Sequence, residues 1–184
     1  MPELNKLVVV DEWNGKYLIN EYYRPLAEKL VDKFTELKYV LVNNILFVEN
    51  TGDKKKIGHK VVFAQISKIS GKWQEIVHQL TGKHFSYMIE IFRENTYGMS
   101  REQIVAVIYH ELRHIQLVTD GDSPKIDLVG HDIDDFANMI EKLGANWPTT
   151  RARIPYLLDD DITDWDSIQG PATLFPESNL RLIK

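Results

Sequence analysis

His110-Glu111-Leu112-Arg113-His114 puts two imidazoles and a carboxylate within one short stretch of chain. On an α-helix, residues i and i+4 lie one above the other on the same face. His110 and His114 can therefore reach a single zinc ion, whose bonds to nitrogen are about 2.0–2.1 Å long. Glu111, beside the first imidazole, can project toward a water on that ion and take its proton as general base. A chain of this composition contains H-E-x-x-H by chance roughly 0.01 times. With 184 residues, six histidines and no cysteine, the chain has no disulfide, thiolate zinc site, cysteine nucleophile or cysteine-ligated cluster. Any metal must rest on His, Asp or Glu.

A catalytic zinc takes a third protein ligand and leaves one position open. The metzincin continuation H-E-x-x-H-x-x-G-x-x-H is not met: Leu117 stands at the glycine and Asp120 at the third histidine. The gluzincin continuation, a Glu on a later helix, finds no Glu before Glu141. The region does hold His131, Asp132, Asp134 and Asp135. His131, just after Gly130 and at the start of an expected helix, is the chosen third ligand. Asp132, Asp134 or Asp135 could take that place instead, or one of the last two could orient a zinc-bound histidine. Arg113, inside the motif, points off the histidine face and reads as a salt-bridge or surface residue.

The elements that must carry these groups are legible in outline. Residues 101–119 form the best-signalled helix, opened by Ser100 with Gln103 completing a capping box. Ile104, Val105, Val107 and Ile108 make that helix mostly buried. Residues 20–38 show helical periodicity from Tyr23 to Leu37, with Pro25 in the first turn. Residues 39–50, 61–69 and 85–95 read as strands, and 70–82 as a short helix closed by Gly82. Residues 51–60 form a polar turn whose Lys54, Lys55 and Lys56 face solvent. Residues 120–127 read as a loop, and 131–148 as a second helix ended by Gly144 and Pro148. Trp73 and Trp147 are core candidates, while Trp13 and Trp165 are core or lid candidates. His59 and His78 read as surface residues.

The length suits a domain over residues 1–148 and an acidic, proline-containing extension over 149–184. Residues 120–184 carry 13 acidic and 6 basic side chains, a net of −7, against +2 for residues 1–119. The total of −5 argues against a nucleic-acid partner held by phosphate contacts. No stretch is apolar for long enough to span a membrane, and Leu7–Val10 is too short for a signal sequence, so a cytoplasmic location is expected. Residues 149–184 could fold back as a lid, with Asp159–Asp161 near the metal.

YHELRHI (109–115) and GHDIDDF (130–136) resemble the family of phage and prophage metallopeptidases, minimal zincins distantly similar to SprT-like and ImmA-like proteins. The resemblance covers roughly residues 20–147. It implies a small α+β zincin-like fold: a mixed sheet, the active-site helix and a following helix bearing the third ligand. It also implies His110, His114 and His131 as metal ligands and Glu111 as catalytic base. Zincins place an edge strand for the substrate just before the active helix, and residues 85–93 stand there. Their oxyanion donor, often His or Tyr, could be His84, Tyr87, Tyr97 or Tyr156.

The expected function is that of a zinc-dependent metallopeptidase acting on a peptide or protein. The alternatives are a zincin-like binding or regulatory module that keeps its metal without catalysis, and a zinc hydrolase of a non-peptide bond.

Overall fold

The computed structural model of this chain describes residues 16–52, 54–120, 123–131 and 135–158. The first strand, β1 (Tyr17–Ile19), leads through a 3-10 turn at Glu21–Tyr23 into helix α1 (Arg24–Lys33). Pro25 lies in the first turn of α1, where a missing N–H costs no helical bond. Leu26, Ala27 and Leu30 are its buried residues. A 3-10 turn at Thr35–Leu37 takes up the rest of the expected helix.

β2 (Ile45–Asn50) is buried at every position, because it is an inner strand covered on both faces. Ile45 and Phe47 join the main core with α1, while Leu46 and Val48 turn to a smaller cluster with Phe85. That alternation is the period-two signature of a strand. A small hairpin, β3 (Lys56–Ile57) and β4 (Lys60–Val61), precedes β5 (Ala64–Lys68). Helix α2 (Gly71–Thr81) ends at Gly82, whose φ of 69° is the left-handed cap that glycine tolerates best. Helix α2 has no buried residue, and it covers the smaller cluster through the partly buried Val77. Trp73, expected in the core, is therefore 60% exposed. Trp147 is buried as expected, and Trp13 and Trp165 lie outside the described residues.

β6 (Tyr87–Phe92) completes a mixed four-stranded sheet in the order β1-β2-β6-β5. It runs parallel to β2 and antiparallel to β5. The expected edge strand at 85–93 is thus an inner strand, and among the described residues β5 is the edge strand beside it, with no strand paired on its outer side. Phe92 N–H donates to Phe63 O and Ile69 N–H to Ser86 O, both at 2.9 Å. Backbone groups alternate sides along a strand. Residues 63, 65, 67 and 69 therefore bond to β6, and Ala64, Ile66 and Lys68 turn their N–H and C=O to the open edge.

A short turn, α3 (Arg93–Thr96), leads to helix α4 (Arg101–Arg113). The Ser100–Gln103 capping box is formed in both directions. The helix stops sooner than its periodicity suggests. From Ile115 the chain becomes β7 (Ile115–Asp120), which pairs with β8 (Ser123–Leu128), so the expected helix end and loop are both hairpin. Ile115, Leu117 and Thr119 share one face of β7, and cross-strand bonding wins over helical propensity there. Pro124 pairs with Thr119, a position whose backbone groups face away from the partner, so its missing N–H breaks no ladder bond. The last helix, α5 (Ala137–Leu143), starts later than expected and is ended by Gly144 at φ 83°.

The result is a small zincin-like α+β fold, with α1 and α4 packed on one face of a mixed sheet. Its core continues past Pro148 through Ile154, Leu157 and Leu158. Residues 159–184, including the acidic stretch expected as a lid, lie outside the described residues. Among the described residues no helix is long and apolar enough to cross a membrane.

Candidate metal centre

His110 and His114 lie at the C-terminal end of α4, His110 in its last turn and His114 at its cap. His131 arrives from the other side, after β8 and before α5. Each of the three offers a ring nitrogen, and these atoms all lie within 4.8 Å of one another. His110 Nε2 and His131 Nε2 are 2.9 Å apart. Two nitrogens sharing one tetrahedral ion stand about 3.3 Å apart, so the spacing suits a common metal. His131 was expected at the start of the following helix; it stands instead ahead of α5, outside any helix or strand.

The remaining nitrogens are held from behind. His114 Nδ1 lies 2.7 Å from the Val129 carbonyl, and His114 O accepts from Val129 N–H at 2.8 Å. The root of the hairpin thus fixes the second imidazole. Burial holds the His114 imidazole at a pKa of about 4, so it is neutral near pH 7. His110 Nδ1 stands 2.8 Å from Asp135 Oδ1. Asp135 Oδ1 also accepts from Phe136 N–H at 2.7 Å, and Oδ2 from Trp147 Nε1 at 2.9 Å. Burial alone would raise the Asp135 carboxyl, but the bonds from His110 and Trp147 outweigh it and hold it below the usual range. A carboxylate behind an imidazole in this way orients the ring and fixes its tautomer. Of the expected acidic alternatives, Asp135 faces the outer nitrogen of His110, and Asp132 and Asp134 lie outside the described residues.

Phe136 backs the cluster. Its ring centroid is 5.4, 5.0 and 5.4 Å from those of His110, His114 and His131. The Arg113 guanidinium lies 4.9 Å from the same ring and 3.5 Å from Glu36 Oε1. Glu36 also accepts from Tyr109 OH at 2.5 Å and from Asn138 Nδ2 at 3.4 Å. Arg113 thus makes the salt bridge its direction suggested. Gln103 does more than cap α4: its Nε2 donates to the carbonyls of Trp147, Pro148 and Thr150 at 2.9, 3.2 and 3.2 Å. Neither Phe136 nor this second use of Gln103 has a sequence signal, since both depend on contacts distant along the chain.

Glu111 is 5% exposed. Burial raises its carboxyl to about 7, against the opposing pull of His110 and of a hydrogen bond from Ile66 N–H. That N–H lies on the outer edge of β5, so Glu111 stands between α4 and β5.

The suggested oxyanion donors are scattered. Tyr87 OH donates to Ile126 O at 3.4 Å. His84 stacks on His78 at 3.7 Å, and Tyr97 is exposed. Tyr156 packs against the main core. His59 faces solvent in the β3–β4 turn.

A family model described as Putative phage metallopeptidase matches residues 15–156. No curated protein and no solved structure matches this chain.

Proposed function

This chain belongs to the phage metallopeptidase family, and from that premise we propose that it is a zinc-dependent peptidase with Glu111 as its general base. His110, His114 and His131 are the proposed ligands. Three imidazoles without a thiolate suit zinc and leave its fourth position open. Held there, the ion supplies Lewis acidity to a water and to the scissile carbonyl.

The chain's own groups would do the rest. The outer edge of β5 offers the backbone N–H and C=O of Ala64 and Lys68 and the C=O of Ile66 to an extended peptide, adding a strand to the sheet, while Ile66 N–H holds Glu111. The scissile bond would then lie beside Ile66, within reach of Glu111. Glu111 takes a proton from the attacking water and passes it to the leaving amine. Its burial favours this, because a base with a pKa close to the working pH can both accept and return a proton. Asp135 holds the His110 ring in place while charge develops.

The observation that carries this reading is the convergence of three histidines, one from beyond the motif, next to a buried Glu111 at an open strand edge. Metal analysis of protein purified without chelator, with a peptide-cleavage screen, tests it. Wild type and Glu111→Gln should both hold one zinc per chain, and only wild type should cleave. Absence of bound metal, or equal cleavage by Glu111→Gln, overturns the reading.

A further inference from the structure

Phe136 stands at the N-cap of α5, one residue after Asp135, and is 1% exposed. Its backbone is held on both sides. Its N–H donates to Asp135 Oδ1 at 2.7 Å, and its C=O accepts from Met139 N–H at 2.9 Å and from Ile140 N–H at 3.2 Å. The Arg113 guanidinium lies over its ring, 4.9 Å from the centroid, and Glu36 holds that guanidinium in turn at 3.5 Å. The start of α5 and the end of α4 therefore place this ring.

Each imidazole of the cluster meets the ring at a steep angle. The interplanar angles are 62° for His110, 62° for His114 and 86° for His131. Aromatic rings at such distances favour edge-to-face contact over a face-to-face sandwich. The imidazoles also lie 4.7–5.2 Å from one another, so each of the four rings touches the other three. The constraint matters most at His131. Asp135 stands behind His110 and the Val129 carbonyl behind His114, whereas His131 is exposed and lies outside any helix or strand. The Phe136 ring carries no ligand atom. It closes its side of the cluster to water and leaves the open position of a bound metal elsewhere.

We propose that Phe136 is a positioning residue of the metal site, whose ring holds the three imidazoles at the angles at which they bind one ion and keeps extra water off that ion. It acts through His110, His114 and His131 and touches no reacting atom. This rests on the zinc reading above.

The test compares two buried phenylalanines. Phe136→Leu keeps the site apolar and removes the ring. Phe47→Leu makes the same change at a fully buried position of the same core, on β2, and controls for lost packing. Both variants should lose stability in metal-free urea melts. Zinc affinity by chelator competition should fall about 10–100-fold in Phe136→Leu and stay at the wild-type value in Phe47→Leu. Cobalt(II) loaded in place of zinc reports the coordination through its visible bands, which are intense for a tetrahedral ion and weaken when further water binds. Phe136→Leu should show the weaker bands. If leucine prevents folding, Phe136→Met, whose flexible chain fills irregular space, is measured in its place. A zinc affinity within about twofold of wild type, the scale of an incidental surface change, overturns the proposal, as does an equal loss in Phe47→Leu. Zinc affinity that depends on Phe136 in a protein that cleaves no peptide leaves the positioning role standing and removes the peptidase reading. Peptide cleavage by wild type, with a zinc affinity indifferent to Phe136, does the reverse.

Discussion

Asp135 Oδ1 stands 2.8 Å from His110 Nδ1, and the other oxygen of the same carboxylate accepts from Trp147 Nε1 at 2.9 Å. The pair joins the last turn of α4 to the segment ahead of α5. If His110 is a ligand, Asp135 sets which of its nitrogens faces the metal. Asp135→Asn keeps the shape, removes the charge and can turn an amide N–H toward Nδ1. Zinc affinity measured by chelator competition should fall about 10–100-fold, with little change in metal-free stability. An unchanged affinity would remove Asp135 from the site.

Gln103 ties the start of the same helix to the chain that supplies Trp147. It completes the capping box and donates to three carbonyls between Trp147 and Thr150. Gln103→Ala leaves buried acceptors without their donor, at a cost of about 1–3 kcal/mol in urea unfolding. A loss below about 0.5 kcal/mol, the usual scale of a surface change, would mean that the clamp is idle.

Glu36 gathers Tyr109, Asn138 and Arg113 behind the histidine cluster. Burial pushes its carboxyl up, but the Tyr109 hydroxyl and the nearby Lys142 and Arg113 charges bring it below 4.5 on balance. The folded state therefore binds this proton less readily than the unfolded chain. The stabilisation is present above about pH 4.5 and is lost as pH falls through the lower folded value. The stability advantage of wild type over Glu36→Gln should hold from about pH 7 to about pH 5 and shrink as the pH falls below about 4.5. An advantage that stays constant or grows on acidification contradicts the assignment.

Away from the site, Arg93 Nη2 donates to Glu49 Oε2 at 2.8 Å, and both side chains are buried. Asn20 and Tyr23 OH also donate to this carboxylate. Burial raises the Glu49 carboxyl, and the Arg93 charge only partly restrains it. Arg93→Met strands a buried carboxylate and should cost about 3–5 kcal/mol. Glu49→Gln/Arg93→Met removes both charges and should recover most of that loss, as denaturant melts of the single and double variants will reveal. Additive losses would mean that the pair is not coupled.

Much of this protein is legible in its residues. The H-E-x-x-H spacing, the Ser100–Gln103 cap, the Gly82 and Gly144 helix ends and the mixed α+β class are local signals, readable over one or two turns of chain. That His131 would come to lie beside His110 and His114 was also legible, because a chain without cysteine has few groups able to join such a cluster. The misreadings share one cause. Residues 115–119 continue a helical pattern, yet they pair with residues 124–128 because long-range strand bonding outweighs local propensity. Residues 85–93 look like an edge strand until β5 is known to lie outside them. Trp73 looks like core until α2 is seen to bury nothing. Which carboxylate stands behind His110, which backbone carbonyl holds His114 and which strand edge Glu111 faces are relations between distant segments. Only the packing of α4 between the sheet, the hairpin and the Asp135–Trp147 segment decides them.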